Sequence, residues 1–469
     1  MNLFKRVAVP AVGAALLVSA AACSGSSSSG SGASSSGSGP GTTVTVLYSN
    51  NYVFNSDSLA TKWWNGIAQQ WKAKYPHTKL VLEGTGGTDT DLMNKAAILF
   101  RSPSTTPDVI QLPTTYVAQF AGSDYLEPLN NFVGSSQASS FWPTMPAGVQ
   151  NMSAIDGTVY AVNAGNNNTG LLYNKAMLEK AGVKMPWNPT NWQQILQVAQ
   201  KVKAANPGVW PLWVASGVAA GPTNVLQGSG NLIFGSSNTT MYDTKTKKWV
   251  VNSSGIRATL QFYQEMDKQG LGAPTSQLFR DDAVGQPPLL MKQGKLAISI
   301  GSNWYPTVWA SPQSAAPWAA AKTEVGSAPF PTENGQGPGA ASTLGGWAYA
   351  VAKASKNVQG AEDFIALASS PANQLTTAVW SGFVPPSTPV GTQPSFVNFA
   401  PPFQADFNNY AKYGVALPNN VNFPVYARAL NTVTGDFAQN PNASMSTELA
   451  KLSSLVSQQL GPNSVETQP

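Results

Sequence analysis

Histidine and cysteine are almost absent from this 469-residue chain, which contains one of each. His77 lies in a short polar segment between a predicted helix and a predicted strand, where a solvated turn residue is expected. A zinc site of the usual kind needs several histidine or cysteine ligands, and a serine–histidine–aspartate triad would have to use His77. The sequence also lacks a Gly-x-Ser-x-Gly elbow after residue 42 and a phosphate-binding Gly-x4-Gly-Lys-Ser/Thr loop. We therefore expect no catalytic activity, no metal, no cofactor and no ATP hydrolysis.

Charged residues are also scarce. They make up 10% of the chain, against about 25% in typical soluble domains, and the formal net charge is +5. Nucleic-acid binding requires a concentrated basic surface, so this small excess argues against it. Aromatic residues reach 10% and include 14 tryptophans. A surface poor in charge and rich in amides and indoles suits a neutral polar ligand with apolar faces, but a compositional habit of the source organism would give the same values.

Paired carboxylates occur only as sequence neighbours. The nearest approaches are Asp89 with Asp91, and Asp281 with Asp282. A glycosidase needs two carboxylates that face each other about 5–9 Å apart. Neighbouring acidic residues on a loop are more often solvated or cap a helix, and we interpret both pairs in this way.

The first 22 residues have the pattern of a secretory signal. Lys5 and Arg6 precede an apolar run over residues 7–22. This run ends in three alanines at positions 20–22. The run is too short, and its far flank too polar, for a transmembrane helix. We therefore predict a signal peptide over residues 1–22 and an exported protein.

Cys23, the single cysteine, follows directly after this segment and has no partner for an internal disulfide. Small residues before a cysteine resemble a bacterial lipobox, in which that cysteine is acylated and becomes the mature N-terminus. Ala20 departs from the pattern, because a leucine is usual three residues before the cysteine. An ordinary secretory signal cut nearby is the alternative. Residues 23–42 are almost entirely Ser and Gly, and we predict a lipidated flexible tether that holds the protein at the outer face of the cytoplasmic membrane.

The remaining chain alternates strand and helix patterns. Its length exceeds the roughly 250–300 residues that one core supports, which favours two lobes. The order β-α-β-α-β at the start indicates a mostly parallel sheet flanked by helices. Prolines and glycines predict surface loops over residues 329–339 and 385–394. The strand predictions cover residues 43–48, 79–83, 109–112, 296–300 and 347–351, and the helix predictions cover residues 59–75, 89–100, 175–181, 191–205, 253–269, 283–292, 358–367 and 441–459.

Several short motifs, in their order and spacing, resemble the extracellular solute-binding proteins of the sugar type, the maltodextrin-binding class. The resemblance runs from about residue 43 to the end of the chain. The matching segments are residues 107–110, 126–129, 156–162, 169–175, 179–182, 186, 190–192, 291–298, 301–304, 345–347, 355–357 and 361–364.

The resemblance implies a two-lobed α/β fold of the periplasmic-binding-protein type, with a ligand cleft between lobes that crossing strands join. Lobe 1 would comprise residues 43–161 and 346–375, and lobe 2 residues 162–345 and 376–469. The first crossing is expected near residues 160–163 and the second near residues 345–347. The family captures a solute outside the cell and delivers it to an ABC permease with its ATPase, so we expect a monomeric receptor for a mono- or oligosaccharide.

A sugar offers apolar C–H faces to aromatic rings and hydroxyls that must be hydrogen-bonded when buried. Trp304 and Trp347, at predicted strand ends in matched motifs, are the candidate stacking residues. The other candidate ligand-binding residues lie beside them, after the first crossing or after the first and third strands, namely Asn303, Gly346, Asn166, Asn168, Asn51, Tyr52, Thr115 and Tyr116.

Two other functions remain open. The first alternative is the same scaffold with another solute, such as a polyamine or a metal chelate. A polyamine would need cleft carboxylates, for which Asp57 and Asp89 are the nearby candidates. A tethered carbohydrate-active enzyme is the second alternative, and it would need converging carboxylates that the sequence does not display.

Overall fold

The structure is a computed structural model that describes residues 42–50, 57–87, 89–310, 312, 314–399 and 403–469. The predicted signal peptide, Cys23, nearly all of the tether, Asn51 and Tyr52 lie outside the described residues. The strands in chain order are β1 (Thr43–Ser49), β2 (Lys79–Thr85), β3 (Val109–Pro113), β4 (Ala154–Ile155), β5 (Thr158–Val159), β6 (Val162–Asn167), β7 (Thr169–Asn174), β8 (Trp210–Trp213), β9 (Tyr242–Asp243), β10 (Lys248–Asn252), β11 (Leu296–Ser302), β12 (Val325–Ala328), β13 (Phe330–Pro331), β14 (Ala340–Val351), β15 (Gly414–Ala416) and β16 (Val465–Thr467).

Helices separate most of these strands. In chain order they are α1 (Asp57–Lys74), α2 (Asp89–Leu99), α3 (Thr114–Gly122), α4 (Asn130–Val133), α5 (Ala147–Asn151), α6 (Lys175–Lys180), α7 (Trp192–Ala205), α8 (Pro222–Leu226), α9 (Ser229–Gly235), α10 (Ser254–Lys268), α11 (Thr275–Leu278), α12 (Gln286–Lys292), α13 (Tyr305–Ala310), α14 (Ala321–Glu324), α15 (Val358–Ala368), α16 (Pro371–Ser381), α17 (Thr388–Gly391), α18 (Pro394–Val397), α19 (Phe403–Tyr410), α20 (Phe423–Gln439) and α21 (Met445–Leu460).

The two main sheets belong to different lobes. The first has the strand order β13-β14-β3-β1-β2, with β6 and β15 also paired to β14, and the second has the order β12-β7-β11-β8. The expected two-lobed α/β fold is confirmed, and β1 runs parallel to both β2 and β3 as the alternation predicted. Both sheets are nevertheless mixed, because β14 runs antiparallel to β3 and β6, and β7 runs antiparallel to β11 and β12.

The first lobe packs α1 onto its sheet through aromatic side chains. Trp64 stacks on Phe364 of α15 with ring centroids 6.4 Å apart, and Phe364 also meets Trp71 and Tyr349. The Trp71 indole donates a hydrogen bond to the carbonyl oxygen of Thr78. Burial of such rings contributes about 1.5–3 kcal/mol each, which explains why the tryptophan spacing predicted this helix correctly.

Capping residues begin the principal helices of the second lobe. The side chain of Asn191 accepts a hydrogen bond from the Gln194 amide at the start of α7, and Ser253 accepts one from Ile256 at the start of α10. These are favoured N-cap residues, and the predicted apolar faces of both helices are buried.

Two features of the C-terminal third differ from the predictions. No element was predicted over α16, α19 or α20, although the face of α20 from Phe423 to Phe437 is buried in the second lobe. The segment 385–394 was predicted to be a surface loop, but Ser387 and Val390 are each 1% exposed and α17 lies within it. Tertiary packing, rather than local composition, decides the structure in both places.

The chain passes between the sheets three times. β6 pairs with β14 in the first sheet, and after Asn168 the chain continues as β7 in the second. β14 returns beside it, and a third pass follows α16, where Val384 forms a bridge with Asn166. The first pass therefore lies a few residues later than the sequence indicated.

Asn303, at the end of β11, ties these passes together. Its side-chain amide donates to the carbonyl oxygens of Asn166 at 3.1 Å and Gly382 at 2.8 Å. Its Oδ1 accepts from the backbone N–H of Asn168 at 3.2 Å and from the Ser302 hydroxyl at 3.1 Å. One buried side chain thus saturates its hydrogen-bonding capacity on the crossing segments.

We predict that Asn303→Ala lowers the free energy of unfolding by about 2–4 kcal/mol, because it removes the side-chain partner of the buried Gly382 carbonyl and Asn168 N–H and one of the two bonds to the Asn166 carbonyl. Urea denaturation measures this change. Asn334→Ala, at an exposed position, is the matched control and should stay within about 0.5 kcal/mol of the parent. Equal free energies of unfolding for the two variants would show that the Asn303 side-chain hydrogen bonds do not stabilise the fold.

Gly346 lies in the second pass with φ of 152°, a conformation that residues with a side chain rarely adopt. A Cβ there would lie 2.2 Å from the Gly165 carbonyl oxygen. Only glycine therefore fits where β14 runs against β6.

We predict that Gly346→Ala costs about 2–5 kcal/mol of stability through backbone strain and overpacking. Gly66→Ala is the matched control, because a Cβ at Gly66 in α1 meets nothing within 4 Å. That change should raise stability by about 0.5–1 kcal/mol through helix propensity. The two substitutions should thus have opposite signs in the same unfolding assay, and a stabilising effect at Gly346 would contradict the geometry.

Candidate functional site

A cavity of about 240 Å³ lies between the two sheets, beside the crossing segments. Both lobes and the crossings line it. The carboxyl ends of β1, β2 and β3 point towards it from the first lobe, which is where open α/β sheets bind ligands. From the second lobe it receives the residues that follow β8 and β11. The lining residues are Ser49, Gly87, Asp89, Thr90, Pro113, Thr115, Asn167, Ala220, Thr223, Leu226, Gln227, Asp281, Asp282, Val284, Gly285, Trp304, Gly346, Trp347 and Phe383.

Two indoles form part of the cavity wall. Trp304 follows β11, is 9% exposed and packs edge-on against Tyr305 with centroids 4.6 Å apart. Trp347 lies on β14, is 3% exposed and belongs to the core of the first lobe. Both rings are therefore packed mainly against the protein, and each contributes a small exposed surface to the cavity lining.

The first-lobe wall is polar and carries one carboxylate. Asp89 begins α2, where the helix dipole favours a negative charge, but burial outweighs this effect and raises the pKa of its carboxyl to about 7. Thr90 follows it, and the Tyr116 hydroxyl hydrogen-bonds to Thr90. Burial, followed by the charge of Asp89, raises the pKa of Tyr116 to about 12. Tyr116 is therefore a neutral hydrogen-bonding group at neutral pH.

The second-lobe wall adds two neighbouring carboxylates. Arg280 binds Asp282 through two hydrogen bonds of 2.6 and 2.8 Å, and Gln286 donates a third of 2.8 Å. The Arg280 guanidinium lowers the pKa of Asp282. Asp281, next to it, is exposed. The charge of Asp282 is thus balanced by Arg280.

Two amides beside the cavity carry buried polar atoms without a partner among the described residues. These atoms are the Asn167 Oδ1 and the Gln227 Nε2. The Gln227 Oε1 accepts a hydrogen bond of 2.9 Å from the Tyr305 hydroxyl, which fixes the amide orientation. An unsatisfied buried polar atom costs about 1–3 kcal/mol, so a ligand group that pairs with either atom gains that energy.

The structure brings four of the sequence-predicted site residues to the cavity: Trp304, Trp347, Gly346 and Thr115. Tyr116 lies just outside it, with its hydroxyl 3.5 Å from where a Cβ of Gly221 in the other lobe would stand. It therefore approaches the opposite lobe at Gly221.

Three predicted asparagines have structural roles instead. Asn303 hydrogen-bonds to the crossing segments, and Asn168 donates its side-chain amide to the Phe407 carbonyl oxygen. Asn166 pairs through its backbone with Val384. None of the three lines the cavity. All three lie on or beside the crossing segments, and their side chains or backbones hydrogen-bond within the protein.

Sequence reasoning missed Gln227, Thr223 and the Asp281–Asp282 pair as lining residues. Asp89, which the sequence already offered as a nearby carboxylate, follows the carboxyl end of β2 and lines the cavity. No comparable signal exists for Gln227, because residues 214–235 matched no predicted element and reach the cleft only through the packing of α8.

The described residues contain neither a metal-binding cluster nor a helix suited to crossing a membrane. They hold no cluster of three or more histidine, cysteine, aspartate or glutamate side chains able to bind a metal ion. His77 is exposed in the turn between α1 and β2, as predicted. No helix in this part of the chain combines the length and hydropathy that a membrane crossing requires.

Sequence comparisons relate the chain to bacterial binding proteins. The family model of bacterial extracellular solute-binding proteins matches residues 55–375. The arabinooligosaccharide-binding protein of Bacillus subtilis is 23% identical over 325 residues, 68% of this chain and 69% of that protein. A putative binding protein of Brucella abortus is 29% identical over 103 residues, 22% of this chain, and the match spans only about a quarter of that relative, 24% of its length.

Solved structures share the fold. Maltose-bound MalE3 of T. maritima has a TM-score of 0.73 at 19% identity, covering 89% of this chain and 100% of that chain. A solute-binding protein of Agrobacterium radiobacter K84 in complex with ribitol has a TM-score of 0.71 at 17% identity, covering 88% and 97% of the two chains. With the family model matched over more than half of its residues, the chain belongs to the bacterial extracellular solute-binding protein family.

Proposed function

We propose that this protein captures a sugar in the inter-lobe cavity and delivers it to an ABC permease. The observation that carries the proposal is that Trp304 and Trp347 line one cavity together with Thr115, Asn167 and Gln227. Indole faces cover the C–H patches of a sugar ring, and the hydroxyl and amide groups can pair with its rim. The named ligands of several relatives, among them lactose and maltose, support the same class of solute.

In this proposal lobe 1 and lobe 2 form the walls of the ligand cavity, and the first crossing between them follows β6. Hinge closure about the three passes would bury the solute. The chain would act as a monomer without catalysis, and the permease and its ATPase would be its partners. Asn51 and Tyr52 remain candidate contacts from the first lobe.

We predict that Trp304→Ala weakens sugar binding about 30- to 1,000-fold, because the lost ring removes its buried area and its stacking. A thermal-shift screen of mono- and oligosaccharides identifies a ligand, and isothermal titration calorimetry then compares the variants. Trp304→Phe keeps an aromatic face and should retain part of the affinity. Unchanged affinity in Trp304→Ala, or release of monosaccharides from a bound oligosaccharide, would refute the proposal.

The N-terminal segment supports a second element of the proposal, a lipid anchor on Cys23. The Ser/Gly tether that follows would keep the receptor close to its permease with a reach of about 20–25 Å. The charged start, the apolar run and the small residues before Cys23 carry this inference.

We predict that intact-mass spectrometry of membrane-extracted protein finds a diacylglycerol on an N-terminal Cys23. The variant Cys23→Ala should instead appear in the soluble extracellular fraction with an unmodified mass. An unmodified Cys23 in the parent protein, with cleavage elsewhere, would identify an ordinary secretory signal.

A further inference from the structure

The charged side chains that line the cavity are all acidic among the described residues. Three carboxylates line it, those of Asp89, Asp281 and Asp282, and no lysine, arginine or histidine does so among the described residues. The internal positions outside the described residues, 51–56, 88, 311, 313 and 400–402, contain no basic residue in the sequence. The cavity therefore has an excess of negative charge that the protein does not neutralise from within its lining.

Arg280 offsets only one of the three carboxylates. Its guanidinium binds Asp282 at 2.6 and 2.8 Å, and among the described residues no ion pair is formed by Asp89 or Asp281. Lys95, further along α2, donates to the Thr85 hydroxyl at 3.2 Å and does not line the cavity. Asp89 and Asp281 are thus the two charges that a solute would meet, one from each lobe.

A charge held in a desolvated site is unfavourable until an opposite charge reaches it. Asp89 shows this cost, because burial raises the pKa of its carboxyl to about 7. A cation in the cavity would favour its ionised form. The rings of Trp304 and Trp347 add to the attraction, since indole faces attract cations.

We propose that the cavity selects its sugar by charge, and that its solute carries a protonated amine placed between Asp89 and Asp281. This inference rests on the proposed function and names the solute class, an amino sugar or a glycoside of one. The indoles would take the C–H faces of the ring, and the buried amides of Asn167 and Gln227 would take its hydroxyls. A sugar acid would meet like charge from both lobes and would be rejected.

Isothermal titration calorimetry at pH 7 with matched sugars tests the proposal. The probes are glucose, glucosamine and glucuronate, the corresponding galactose series, cellobiose with the chitosan disaccharide, and spermidine as a cation without a sugar ring. The amine of a series should bind at least tenfold tighter than its neutral parent, and the acid should not bind. A neutral sugar that binds as tightly as its amine, or an acid that binds, would overturn charge selection while leaving sugar capture intact.

The remaining outcomes separate this inference from the proposed function. If spermidine binds and no sugar does, the sugar function is wrong and the cavity selects cations alone. If none of the probes binds, charge selection of an amino sugar is overturned, and the wider screen of mono- and oligosaccharides decides the sugar function separately.

Substitutions of the cavity carboxylates test which of them is responsible for the preference for an amine. Asp89→Asn keeps the shape and a hydrogen-bonding group, and it should reduce the preference for the amine at least tenfold while changing the affinity for the neutral parent less. Asp281→Asn, at an exposed position, is a second variant and should also reduce the preference for the amine over the neutral parent. Asp156→Asn is the matched control, because Asp156 is exposed, lies outside the cavity lining and adopts a positive φ of 49° that asparagine tolerates. A preference that survives the loss of both cavity carboxylates would overturn the inference.

Discussion

The architecture depends on one side-chain amide at the junction of the lobes. Asn303 satisfies backbone groups of the first and third passes, and the second pass is paired to the first through β6 and β14. Backbone groups that leave one sheet before entering another have no ladder partner, and burying them unpaired is costly. The amide removes that cost at the point where the chain must be irregular. Trp304 follows it directly, so the same residue that secures the crossings also positions a wall of the cavity.

The apolar and the polar residues of the cavity wall come from different parts of the fold. Trp304 and Trp347 are held by their own lobes, as their contacts with Tyr305 and with the first-lobe core indicate. The polar groups of the cavity lie at the ends of strands and at either end of short helices, as Ser49, Thr115 and Gln227 do. An apolar wall with a few precisely placed polar groups is a common combination in binding sites.

Much of the fold was predictable because aromatic periodicity and N-cap residues are local signals. The tryptophans of α1 and the caps Asn191 and Ser253 placed their helices correctly. α20 was missed because its burial arises from contacts distant in sequence, and its start lacks a side-chain cap. In the site, Trp304 and Trp347 were identified through motifs, whereas Asn303 and Asn168 were assigned to the ligand although they bind backbone. An asparagine in a motif looks the same whether it faces a cavity or supports it, and only the packing distinguishes the two.

The placement of the tryptophans also has an optical consequence. Of the 14 indoles, Trp304 and Trp347 line the cavity, while Trp71, Trp213, Trp249 and Trp309 are fully buried in packed cores. A solute that displaces water from the cavity changes the surroundings of the first two and leaves those cores unaltered. A change in the intrinsic tryptophan fluorescence therefore reports a solute in the cavity. It is superimposed on a constant contribution from the buried tryptophans.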